Sequence, residues 1–559
     1  KEGEHKGKRG VITTDDKTGN PYKVTFANGT VSGWLRPNEL RSSGLAGETA
    51  VLQRAMAARA PAVRAACEAR LSVALRTALR TVRERVLVDA LPLLSLVQSE
   101  PLRLQSSHLS FQEYFAARAL CEEGTKLSGT PPWQWPAWWA NAVELGAQIP
   151  GDGFGRGLLR GAGVTGGTLD LSQKLGGDPP TVRRVLAAMM KTTALKSLSV
   201  ANNNIDGEGA QQLAKAVLNC SSLEVLSGVP IKKLRAGKLT KLDLQGKGLG
   251  ATEGIVLAEL IQLSPVLENL SVANNNIDGE AAQQLARVVL RSASLEVFSE
   301  IPIKKLRADA LTKLDLRGVG VSGALVLSDL LKFSAVLTEL DLAGNNISPE
   351  GAVAISEALK VNAVLTTLDL FNNNIGPEGA IAIAEALKVN AVLTRLGLQN
   401  NNIGFEGAKA IAEVLKVNAV VTTLVLSNNS IGDEGAKAIA EALKVNAVVT
   451  TLGLYNNNIG PEGAIAIAEA LKVNAVMTTL VLNSNIIRNE GAIAIAEALK
   501  VNAVLTELVL HSNSIGDEGT KAIAEALKVN TVLTKLDIRY NNMGDAGEKA
   551  VRDAVKGRS

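Results

Sequence analysis

Residues that do chemistry are scarce in this 559-residue chain. Its three histidines, His5, His108 and His511, and three cysteines, Cys67, Cys121 and Cys220, lie far apart, which excludes a zinc-ligand spacing and any recognisable nucleophile–base motif. Cysteines without a pairing pattern fit a reduced, cytoplasmic setting better than a disulfide framework. The net charge of +4 is small for the length and gives no electrostatic footprint for nucleic acid. No apolar run reaches membrane-spanning length, because the best one, Val86 to Val97, is broken by Asp89 and Pro92. Gly-x-x-x-x-Gly-Lys-Ser/Thr occurs nowhere, so no phosphate-cradling loop for a nucleotide is present. Gly161-Ala-Gly163-Val-Thr-Gly166 has the glycine spacing of a dinucleotide loop but precedes a strand instead of following one. No catalytic residue, cofactor or metal is expected, and the chain reads as non-enzymatic.

What it has is repetition. From Leu337 to the C-terminus one 28-residue unit recurs eight times, framed Leu-x-x-Leu-x-Leu-x-x-Asn-x-Ile and followed by a stretch close to Glu-Gly-Ala-x-Ala-Ile-Ala-Glu-Ala-Leu-Lys-Val-Asn. A fixed period of this size marks a stacked solenoid, whose units bury their apolar faces only against neighbours. Leu368-Asp369-Leu370 alternates as a strand with one buried face. The amide of Asn373 both donates and accepts, so it can satisfy turn backbone left in the core. Pro377-Glu378 or Asp433-Glu434 starts a helix, and Ala380, Ile383, Ala384 and Leu387 recur at helical spacing as its buried stripe. Each unit is therefore strand, turn, helix, and the fold class is α/β, with a curved parallel sheet inside and helices outside.

These residues resemble the leucine-rich repeat of the ribonuclease-inhibitor type, in frame, asparagine and helix length alike. Earlier units depart from it. Leu195 to Ile205 and Leu267 to Ile277 fit the frame, but shortened units at Ser222 to Leu234 and Ser294 to Leu306 have no room for a full helix. The solenoid is expected over 168–559, beginning with the strand Thr168-Leu-Asp-Leu171. The polar last helix, with Glu548, Lys549, Arg552, Asp553 and Lys556, is what a terminal repeat needs.

Ahead of the repeats three further segments are read. Residues 1–43 hold short strands, an Asn28-Gly29 hairpin signal, Tyr22 and Trp34, and resemble a small SH3-like β-barrel module. Residues 45–150 form a helical neck. Its string His108-Leu-Ser-Phe-Gln-Glu-Tyr-Phe-Ala-Ala117 looks like the segment that closes the NACHT-associated helical part of nucleotide-binding leucine-rich-repeat receptors. The tryptophans Trp133, Trp135, Trp138 and Trp139 follow as packing and repeat-capping residues. Residues 151–167 read as a glycine-rich linker.

The units diversify at three outward strand positions, expected on the concave face. Phe371, Arg395, Gln399, Tyr455, His511, Lys535 and Arg539 are the candidate binding residues, with Phe371 and Tyr455 as aromatic anchors. The resemblance implies a protein-interaction or ligand-sensing protein, with a protein partner on that face. A structural scaffold or assembly subunit is one alternative. A nucleic-acid binder using the Arg76, Arg80 and Arg83 helix face and the Trp133, Trp135, Trp138 and Trp139 cluster as a stacking platform is another. Ile381, Ile465 and Ile493 mark a second candidate surface, since sister repeats carry Lys409, Lys437 and Lys521 there.

Overall fold

The computed structural model describes residues 10–15, 22–26, 77, 94–99, 102–106, 109–122, 127 and 129–556 apart from 206. Two compact units meet at residues 115 and 116. In the first, Gly10–Asp15 pairs antiparallel with Tyr22–Phe26, and Leu94–Ser99 with Leu102–Ser106. Helix Leu109–Cys121, where the sequence places a helix start near Ser110, runs across the boundary into the second unit. The rest of the barrel expected over 1–43, including Asn28, Gly29 and Trp34, lies outside the described residues, as do Arg76, Arg80 and Arg83.

The second unit alternates strands and helices. Three parallel sheets take strands of two or three residues in chain order, and the last has nine strands, from Lys313–Asp315 to Lys535–Asp537. Register is uniform: Leu340, Leu368 and Leu396 pair in line, and so on to Leu536. Alternation buries Leu368 and Leu370 completely, and the stripe Ala380, Ile383, Ala384 and Leu387 is equally buried against neighbouring repeats. The two shortened units each form only a five-residue helix, Ile231–Arg235 and Ile303–Arg307. The sheet is interrupted after each, between strands Val225–Leu226 and Lys241–Asp243 and between Val297–Phe298 and Lys313–Asp315.

The frame asparagines stitch the stack together. Asn429 is 1% exposed. Its amide donates to Leu426 O and Ser427 O in its own turn, at 3.0 and 3.1 Å, and to Leu398 O of the preceding repeat at 2.8 Å. Its Oδ1 accepts from Asn401 N at 2.9 Å and Ile403 N at 3.3 Å, both in that preceding repeat. A second ladder runs at the helix ends. Asn446 donates to Leu415 O of the preceding helix at 2.7 Å and accepts from Val448 N and Val449 N at 3.0 and 2.8 Å. Equivalent bonds run from Asn362 to Asn530 and occupy carbonyls that a helix C-terminus leaves unpaired.

Residues 151–167 are more than a linker. Gly153–Gly161 is a helix that buries Phe154, Leu158 and Leu159. A Cβ on Gly155 would stand 2.2 Å from Ala188 O, and one on Gly157 only 1.7 Å from Leu120 O. These glycines serve close backbone packing, which composition alone cannot distinguish from flexibility. Trp135 is 2% exposed, stacks on Trp139 at 4.3 Å, and accepts a bond from Asp178 N at the start of helix Pro179–Met190. It therefore packs beneath the first repeats, and Trp138 remains 68% exposed.

Candidate binding face

The nine-stranded sheet brings the diversified positions into three rows. One runs Glu339, Thr367, Arg395, Thr423, Thr451, Thr479, Glu507, Lys535, and the next Asp341, Asp369, Gly397, Val425, Gly453, Val481, Val509, Asp537. The third, from Ala343 to Arg539, continues the ladder just past the strands: Asn372 N donates to Gln399 O, Asn428 N to Tyr455 O, and Ser512 N to Arg539 O. All seven candidate residues fall on these rows. Phe371, Arg395, Lys535 and Arg539 are exposed, and Gln399, Tyr455 and His511 are half-buried.

Charge on this face is concentrated at its ends and largely paired there. At one end Lys313 pairs with Glu339 at 2.7 Å, and Arg317 reaches Asp315 at 2.6 Å and Asp341 at 3.1 Å. At the other, Lys535 lies 3.6 Å from Glu507, and Arg539 grips Asp537 through Nε and Nη2 at 2.9 and 2.8 Å. That two-pronged bond holds the Asp537 carboxyl down at about 2. Its contribution to stability is therefore present above the ordinary carboxylate range and lost as pH falls through about 2. In Arg539→Ala the Asp537 carboxyl should titrate back toward the ordinary range, read by carbon-13 NMR of labelled aspartate.

The centre differs. Strands Thr423–Val425, Thr451–Gly453 and Thr479–Val481, with Ser427, Tyr455 and Asn483 beyond them, carry no ionisable group except the Tyr455 phenol. Gly397 and Gly453 flank Val425 and lower the surface beside it. Gln399 folds inward, its amide oxygen buried over Gly397 next to Asp369 Oδ1, so it offers less to a partner than its position in the row implies. Sequence reading chose the large side chains and passed over Thr423, Val425, Thr451, Thr479 and Val481. Their signal was the absence of charge in three consecutive units.

The helix-flank surface is also visible, with Ile381, Ile465 and Ile493 at 41, 40 and 38% exposure. A separate cavity of about 210 Å³ lies between helix Pro179–Met190 and the Asn203–Ile205 turn, walled mainly by Leu175, Val182, Leu186 and Leu213. Among the described residues no group of His, Cys, Asp and Glu could hold a metal ion, and no helix is long and apolar enough to cross a membrane.

Comparison with known proteins gives one family, "Leucine Rich repeat", matching residues 193–214, seven segments between 333 and 524, and 529–551. No curated protein matches. Among solved structures, the chain is similar to leiomodin-1 actin-binding site 2 at 32% identity over 28% of this chain and 88% of that one, TM-score 0.25. The C-terminal domain of Caenorhabditis elegans tropomodulin matches at 15% identity over 27% and 92%, TM-score 0.25. An internalin of Listeria monocytogenes matches at 18% identity over 63% and 93%, TM-score 0.29.

Proposed function

The second unit is a leucine-rich-repeat solenoid, and from that premise we propose that the chain is a non-enzymatic interaction protein that holds a protein partner on the open face of its nine-stranded sheet. The observation that carries this reading is the uncharged centre around Tyr455 between ends whose charges are mostly paired with each other. Protein interfaces are depleted of charge at their cores and enriched in aromatic anchors, because stripping water from an ionised side chain is costly and from a tyrosine ring is not. The nine-stranded backing holds the anchor still, so little freedom is lost on binding.

The string His108 to Ala117 ahead of the repeats supports a sensor of the kind found in nucleotide-binding leucine-rich-repeat receptors, here in a sequence that lacks the Gly-x-x-x-x-Gly-Lys-Ser/Thr motif. A constitutive scaffold is the alternative. Affinity capture with the full chain separates them: sensing predicts substoichiometric, condition-dependent recovery, and scaffolding predicts one fixed complex in stoichiometric amount. Tyr455→Ala should weaken the captured interaction at least tenfold, as loss of about 2 kcal/mol at an interface anchor requires. Thr451→Arg, which places a charge in the neutral centre, should do the same. Undiminished capture by both variants would remove the sheet face from consideration.

A further inference from the structure

A second surface runs along the helix ends. The seven valines at the helix C-termini, from Val361 to Val529 at 28-residue intervals, are 60 to 70% exposed. Phe333 heads the row at 83% exposed. Two residues beyond each member up to Val501 lies an exposed alanine, such as Ala335, Ala363 or Ala447, and beyond Val529 lies an exposed threonine, Thr531. The local fold explains why these side chains point outward. The asparagine after each valine is drawn into the stack by its bond to the preceding helix, as Asn446 is to Leu415 O, and the valine is left outside. Packing therefore does not demand an apolar residue here.

The chain nevertheless has one at each of the eight positions from Phe333 to Val529. The comparison within the chain is the helix-flank position, also on the surface though less exposed, which reads Val353, Ile381, Lys409, Lys437, Ile465, Ile493 and Lys521. Where exposure is tolerated without consequence, lysine has entered three times in seven units; on the valine row it has not entered once. Single exposed apolar residues are ordinary, but a continuous exposed row of this length is not expected on a free monomer.

We infer that the valine row is a self-association surface, its occupant the same row on a second copy of this chain. Two features favour that occupant. The lysine before each valine is paired with a glutamate three residues earlier, from Lys360–Glu357 to Lys528–Glu525, so the border of the row has no net sign to attract a charged partner. The rungs also recur at a fixed interval, and a second copy presents the same interval, so each rung can meet a rung along the whole length. With Phe333 and the alanines the row offers roughly 600–800 Å² per copy, close to a standard interface. An isologous, two-fold arrangement closes the assembly at two chains.

The experiment is sedimentation equilibrium on the full chain, and it reads mass, independently of any partner on the sheet face. The wild type should be a dimer with a Kd on the order of 10 µM or tighter. Val417→Lys, Val445→Lys and Val473→Lys together should shift it to monomer with at least a tenfold weaker Kd. The milder Val417→Thr, Val445→Thr and Val473→Thr variant, which keeps side-chain shape, should weaken it in the same direction if the lysines disturb folding. A wild-type monomer at 100 µM would overturn the inference, as would a dimer that neither variant weakens. Valine-dependent binding of a monomeric wild type to phosphatidylcholine vesicles would overturn it in favour of a lipid surface.

Discussion

Replacing Asn429 with alanine should lower the stability of the second unit by about 3 kcal/mol, because it strips the partner from two buried backbone N–H groups at once. Those groups, Asn401 N and Ile403 N, belong to the preceding repeat. The three carbonyls that the Asn429 amide serves lie in both repeats. Damage should therefore appear on both sides of the substituted unit, since stack stability is a sum of units and nearest-neighbour interfaces. Hydrogen exchange read by mass spectrometry should accelerate between about residues 398 and 457 and stay unchanged in the first unit. Tyr455→Ala is the contrast. Its ring is half-buried on the sheet face, and its removal should cost far less stability. Equal destabilisation by the two substitutions would mean that the face has been misassigned.

Gly157→Ala should be the most damaging small substitution ahead of the repeats. The new Cβ would lie 1.7 Å from Leu120 O and 2.5 Å from Leu120 C. Both are backbone atoms, so no side chain can turn aside, and helix Gly153–Gly161 must separate from the backbone at Leu120, within the same unit. Overpacking of this kind costs about 3 kcal/mol. Exchange should rise across 153–161 while strands such as Thr423–Val425 keep their protection. A variant as stable as the parent would return residues 151–167 to the role of a linker.

The two cases show what the sequence makes legible. The role of Asn429 follows from the frame itself: an amide between two leucine runs has to serve backbone, and it does. The five-residue helices follow from counting residues between frame positions. The second asparagine ladder does not, because Asn446 follows an exposed valine and looks like an ordinary loop residue until the preceding helix is stacked beside it. Asp433 has the same ambiguity. It stands in the first turn of its own helix, as its sequence predicts, yet its carboxylate accepts from Gly460 N and Gly463 N of the next repeat, at 2.7 and 2.8 Å. Asn489 and Asp517 do likewise. Contacts across the period are invisible to any argument confined to one unit. On the sheet face the rows were legible from strand alternation, but the pairing of Arg539 with Asp537 was not, and it leaves that arginine less available than its exposure implies.

The most direct test of the sheet-face account is hydroxyl-radical footprinting of the chain with and without its captured partner. The account predicts that oxidation of Tyr455 and Phe371 falls sharply in the complex, while Ile381 and Val353 on the helix flank stay as reactive as in the free chain. Protection of the helix flank with Tyr455 and Phe371 unchanged would contradict it.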